Sequence, residues 1–170
     1  MRWTHARLPL LVALAVGTLT LPLAAVAGSP SVVASATGSG HFHYTDSGVT
    51  ALRTFSFEAR EFSDGTATGN AQVTNRVTGQ TLNIHIDCLN VLGNVAVVSG
   101  IAWSATGPGN TDGDPQIFAV EDNGQGANSV PDRVTRSYGD TGLVCTDFQT
   151  AADVDPSLYY DVEGGNVQVH

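Results

Sequence analysis

The chain has 170 residues and a formal charge of -9, and all seven of its basic residues are arginine. With 42% of its residues hydrophobic and 14% charged, it has enough apolar side chain for one core, which argues against wholesale disorder. Lacking lysine, it excludes a Schiff-base lysine and a P-loop lysine. Its acidic balance argues against nucleic acid or anionic lipid as partners, because both need a basic face.

Residues 1–27 read as a signal peptide. Arg2 and Arg7 give a positive start, Leu8 to Val16 and Leu19 to Leu23 an apolar stretch, and Ala25-Val26-Ala27 a small-x-small cleavage site. The mature chain is expected to begin near Gly28, with five arginines against sixteen acids, or -11. No later apolar run is long enough to span a membrane, so a secreted or extracellular protein is expected. Missing lysine beside abundant Ala, Gly, Val and Arg suggests a bacterial, high-GC coding bias.

Residues 28–37, rich in Ser, Ala and Gly, are expected to form a flexible lead, and residues 38–170 a single β domain. From there strand-period alternation dominates. Candidate strands are Gly40 to Thr45; Arg53 to Arg60, with Phe55, Phe57 and Ala59 on one face; Ala71, Val73 and Val77; and Leu82 to Cys88. Val95 to Trp103 is apolar on both faces, as expected for a strand covered on both sides, and Ile117 to Val120, Arg133 to Tyr138 and Asn166 to His170 follow. Turn signals at Asp64-Gly65, Gly79, Gly93-Asn94, Gly107-Pro108-Gly109, Asn123-Gly124 and Gly139-Asp140 separate them. Residues 146–163, with four aspartates and Pro156, suggest a long acidic excursion. The fold class is therefore all-β, a single antiparallel barrel or sandwich of about eight strands. Cys88 and Cys145, an even pair in an exported chain, are expected to form one disulfide.

Several blocks together carry a family resemblance. They are Gly38-x-Gly40-His41-Phe42, Phe55-Ser56-Phe57, Gly69 before Asn75-Arg76 and Gly79, Leu89 to Ala96 with Gly100, Phe118-x-Val120-Glu121-Asp122-Asn123-Gly124, Asp132, and Gly164 to Val169. In this order they resemble the post-COAP type of bacterial extracellular domain. The resemblance implies a secreted or surface-attached β module without established catalytic activity. Gln125-Gly126 stands where that pattern usually has Glu-Pro, and the loop through Asn128 to Pro131 is longer.

Four groups of residues are candidates for a site. His41-Phe42-His43 and His85-Ile86-Asp87 each put two ligands on one strand face, and as neighbours they could hold zinc; the alternative is two solvated strand faces. Asn110 to Asp114 has oxygens at alternate positions, and Asp112, Asp114, Asp122 and Asp132 are candidates for an irregular calcium site. Pro115 departs from an EF-hand loop, so the alternative is loop solvation. Trp103, the only tryptophan beyond the signal, could stack on a sugar, although a strand-end tryptophan more often joins the core. No nucleophile elbow, His-Glu-x-x-His or glycine-rich nucleotide loop occurs. The leading expectation is a secreted non-catalytic β module that binds an envelope component or glycan through its loops. The alternative is a small extracellular hydrolase or isomerase with a barrel-mouth site, metal-dependent or not.

Overall fold

A computed structural model describes residues 28–170 apart from 47, 108, 110, 126–129 and 140, and does not describe the Asp46 side chain. The expected signal peptide lies outside the described residues. Ten strands form one antiparallel sheet: β1 Val32–Asp46, β2 Val49–Phe62, β3 Ala67–Asn75, β4 Thr81–Leu92, β5 Val95–Ala105, β6 Pro115–Glu121, β7 Arg133–Thr135, β8 Tyr138–Gly139, β9 Tyr159–Asp161 and β10 Gly164–Val169. The strand order is β10-β1-β2-β3-β4-β5-β6-β7-β9, with β8 also on β6. The sheet curls into a half-barrel, and its inward row is the alternation itself. Phe42, Phe55, Phe57, Ala59, Ala71, Leu82, Ile84 and Ile86 are buried in one cluster with Ala96, Val98, Phe118, Val120 and Val167.

The tight curl needs backbones to approach where a side chain would not fit. A Cβ on Gly69 would lie 2.0 Å from the Glu58 carbonyl oxygen, and one on Gly100 2.0 Å from that of His85. Gly100→Ala is expected to destabilise the protein by about 1–3 kcal/mol, read as a lower urea midpoint, because the clash is with backbone that cannot step aside. An unchanged midpoint would show that the two strands can separate without loss.

The Gly100 position also closes a bulge. Ile86 pairs with Gly100 and Cys88 with Ser99, which leaves Asp87 without a partner residue. Up to the bulge Leu82, Ile84 and Ile86 face inward; after it Leu89 and Val91 do so. The extra residue therefore turns Cys88 outward. There it meets Cys145 in a disulfide across 57 residues. Cys145 belongs to a segment of three short 3-10 turns, 145–147, 151–153 and 156–158, which covers the outer side of β5 and β6. Val95, Val97, Ile117, Ala119, Cys145 and Val154 form this second cluster. Covered on both faces, Val95 to Val98 are continuously apolar, as that composition predicts.

The chain passes from β9 directly into β10, and these lie at opposite ends of the sheet order. Two carboxylates span the remaining seam. Asp132 accepts from Asn123 N at 2.9 Å and Val167 N at 2.7 Å, and its carbonyl accepts from Val162 N at 2.8 Å. Asp122 accepts from Gly124 N at 2.8 Å and Val169 N at 3.1 Å. Both side chains satisfy amides of β10 in place of a neighbouring strand's carbonyls. His43 and Glu163 add a tie at 2.7 Å. The His43 hydrogen bond holds the Glu163 carboxyl below its ordinary range, so what this tie adds is present above the unfolded carboxyl pKa and fades as pH falls through the lower folded one.

Several sequence expectations need correction. Residues 32–37 are not a flexible lead but the start of β1: Ala36 is fully buried, and Ser35 and His170 exchange backbone hydrogen bonds of 2.9 and 2.8 Å. Small residues there reflect close packing against β2 and β10. Among the described residues there are ten strands rather than about eight. Arg133 to Tyr138 divides into β7 and β8, both paired with β6. The excursion 146–163 contains β9, a strand too short for alternation to show. Val77 lies in the turn after β3 and is exposed, because the Asn75 carboxamide oxygen draws the Val77 and Thr78 amides into a tight turn. Ile101 and Trp103 are exposed, since the outer covering of β5 stops short of them.

Tyr159 carries an exception to polar pairing. Its hydroxyl is buried without a hydrogen-bond partner among the described residues, while the Arg133 guanidinium lies 4.8 Å from its ring centroid. Burial, reinforced by Glu121, pushes the phenol up to about 12. Tyr159→Phe is expected to be neutral or to stabilise by about 1 kcal/mol. Because the folded pKa exceeds the unfolded value, the stability linked to this phenol is intact below about pH 10 and lost as pH rises toward 12. Urea titrations at neutral and alkaline pH check both points. Tyr159→Phe should flatten the alkaline loss, and a destabilised variant at neutral pH would contradict the first.

Candidate functional site

The histidine pairs proposed for zinc do not meet. His41 and His43 lie on β1 and His85 and Asp87 on β4, with β2 and β3 between them. The curl brings β1 and β4 toward each other only across the buried interior, where Phe42, Ile84 and Ile86 lie. All four face outward, and each histidine has a local partner: the His41 ring lies against Gly164, His43 bonds Glu163, and His85 Nδ1 pairs with Asn70 Oδ1 at 3.0 Å. The candidate calcium ligands likewise divide between the two ends of β6. Asp112 accepts from Ala105 N at 2.9 Å, and Asp114 accepts from the Thr111 amide and hydroxyl at 2.7 Å each. The hydroxyl first, then the amide, lowers the Asp114 pKa. Asp122 and Asp132 hold the seam at the other end. Among the described residues no three His, Cys, Asp or Glu side chains converge as ion ligands. Millimolar calcium is therefore expected to raise the melting temperature no more than sodium chloride at matched ionic strength; a saturable rise beyond that would contradict it.

Trp103 is half exposed on the outer face, and its ring stacks on that of His85 at 5.2 Å between centroids. It is a flat aromatic surface rather than a core residue.

A concavity lies elsewhere, at the end of the curled sheet where β1 and β3 finish and β2 and β4 begin. It has a volume of about 450 Å³, within the range of about 300–1,000 Å³ that holds small molecules. Aromatic rings build one wall: Phe118 against Phe57 at 5.5 Å, Phe57 against Phe55 at 6.4 Å, and Phe55 against Phe42 at 6.1 Å, with Tyr160 packed behind Phe42 at 5.3 Å. Tyr44 meets Tyr160 edge-on at 5.6 Å. Offset and edge contacts of this kind fix ring orientation. Ala71, Val73, Leu82 and Val134 complete the apolar lining, and Thr135, Ser137 and Gln80 bring polar atoms.

Two arginines stand at this mouth. Arg53 occupies the inward position of β2 that precedes Phe55, in the same alternating row as Ala51, Phe57 and Ala59. Arg136 follows β7 two residues after the buried Val134. The Arg53 guanidinium lies 5.6 Å from the Tyr44 ring centroid, and that of Arg136 lies 5.5 Å from Tyr44 and 4.4 Å from Tyr138. Arg136 Nη1 donates to the Tyr44 hydroxyl at 2.9 Å. Desolvation lowers the Arg136 pKa, but the Tyr138 hydrogen bond and the surrounding phenols outweigh it and raise it.

Sequence reasoning missed this site. Arg53 was the available signal: a charged residue at an inward place in an apolar row breaks the binary pattern, and such breaks collect at functional positions. Arg136 gave no comparable signal, because β7 is three residues long. No family model, no curated protein and no solved structure matches this chain.

Proposed function

We propose that the chain is a secreted, non-catalytic β module that binds a small extracellular or envelope-derived component in the cavity at the mouth of its curled sheet. The cavity carries this reading: an aromatic and aliphatic wall faces a polar side formed by Arg53, Gln80, Thr135, Arg136 and Ser137, so one concave site offers both apolar surface and hydrogen-bonding groups. The disulfide agrees with an oxidising compartment, and the blocks resembling the post-COAP type agree with an extracellular module. Among the described lining residues none pairs a nucleophile with a base, which favours binding over the hydrolase or isomerase alternative.

Titration with N-phenyl-1-naphthylamine, a neutral dye that fluoresces in apolar surroundings, tests the proposal. A saturable, one-to-one rise is expected, together with its loss in Ala71→Phe, which places a ring in the cavity. No saturable binding would overturn the cavity reading. A second reading, sugar stacking, is favoured by the half-exposed ring of Trp103 alone. Soluble cell-wall oligosaccharides should then shift Trp103 emission, and an unmoved spectrum would dismiss it.

A further inference from the structure

We propose that the cavity is selective for small organic oxyanions with an aromatic body, such as arylalkyl carboxylates or sulfonates, and that Arg53 and Arg136 receive the anionic end. This rests on the cavity reading above and goes beyond it to the ligand's charge and class.

The placement of the arginines carries the inference. Five arginines and sixteen acids follow residue 27, so a guanidinium placed without regard to charge would readily find a carboxylate. On the outer face of the sheet this happens: Arg60 pairs with Glu58 at 3.5 Å, and Arg133 pairs with Glu121. Arg76, also outside, donates to the Thr54 hydroxyl at 3.0 Å. The two inward arginines differ. No carboxylate pairs with Arg53 or Arg136 among the described residues, and both are packed against the same tyrosine at the mouth of a cavity with an aromatic wall.

Tyr44 between them orients both cations without neutralising either. Ring faces attract a guanidinium while leaving its edge donors available. Arg136 gives one donor to the Tyr44 hydroxyl, and a guanidinium has five, so donors remain for a bidentate grip on an oxyanion. An apolar wall beside a cation also disfavours water-filled competition and strengthens the ion pair. A neutral sugar would leave these cations unpaired. A cationic ligand would be repelled by them. An inorganic anion would leave the aromatic wall unused.

The test compares 8-anilinonaphthalene-1-sulfonate with N-phenyl-1-naphthylamine, which has the same two ring systems without the sulfonate, on the purified oxidised protein at neutral pH. The anion is expected to bind about tenfold tighter or more. Arg136→Gln and Arg53→Gln should each weaken the anion several-fold while leaving the neutral dye within about twofold. In the unmodified protein, 4-phenylbutyrate should displace the bound dye at concentrations about tenfold below 4-phenylbutyramide. That competition decides the question even where an arginine variant fails to fold. Equal binding of both dyes, with amide and carboxylate competing equally, would overturn the oxyanion inference and leave the cavity reading standing. Saturable binding of neither dye would overturn both.

Discussion

Asp132→Ala is expected to cost about 3–5 kcal/mol and to lower the urea midpoint accordingly. The carboxylate is 8% exposed, too buried for water to replace what it supplies. One oxygen accepts from Asn123 N and the other from Val167 N, and hydrogen bonds to an ionised acceptor are worth about 1.5–3 kcal/mol each. Alanine removes both acceptors and leaves two amides at a seam with no adjacent strand to satisfy them. Asp132→Asn should cost less, because one carbonyl oxygen survives while the amide nitrogen confronts an N–H. Asp122→Ala should also cost less, its bond to Val169 N being longer at 3.1 Å. Denaturant unfolding of the three variants checks the order. A loss below about 1 kcal/mol for Asp132→Ala would mean that the continuous β9 to β10 chain holds the ends together without the carboxylate.

This seam also separates what alternation can disclose from what it cannot. The inward row of Phe55, Phe57 and Ala59 and the row of Leu82, Ile84 and Ile86 were legible because each strand is long and has one core face. The disulfide was legible from the even cysteine count together with the expected export signal. The bulge at Asp87 was not, since the row reads without interruption as far as Cys88 and only the pairing with β5 reveals the change of face. Asp122 and Asp132 looked like free loop acids because the β10 amides they hold, those of Val169 and Val167, are more than thirty residues away. Residues with oxygen ligands at alternate positions are equally suited to capping local amides, which is what Asp112 and Asp114 do. Asp122, Asp132 and the β10 amides of Val167 and Val169 converge on the seam. Both carboxylates are accounted for by fold closure rather than by ligand chemistry. The candidate ligand site is built from residues outside the seam, above all an inward arginine whose meaning emerges only once Tyr44 and Arg136 are brought beside it.

Reduction of the Cys88–Cys145 bridge is expected to cost roughly 4 kcal/mol, the chain-entropy value for the 57-residue separation of its ends. Thiol titration of the unfolded, unreduced protein should find no free thiol, and the Cys88→Ala/Cys145→Ala double variant should reproduce the loss. The bridge fixes the segment of 3-10 turns to the outer side of the sheet, over Val95, Val97, Ile117 and Ala119. Without it the segment is still held by the burial of Val154 and by Asn90, which donates to the carbonyls of Cys145 and Phe148 at 3.0 and 2.7 Å. The reduced protein should therefore remain folded at moderate temperature, with amide exchange accelerated in the segment and the facing edges of β5 and β6 before it is accelerated in β2 and β3. A cost below about 1 kcal/mol would show that these contacts already restrict the unfolded chain as much as the bridge does. Cys145 and its cover lie on the face of the sheet opposite the aromatic wall. Dye binding in the mouth should consequently survive reduction under conditions where the protein stays folded, and a parallel loss of binding would mean that the outer layer sets the curl that shapes the cavity.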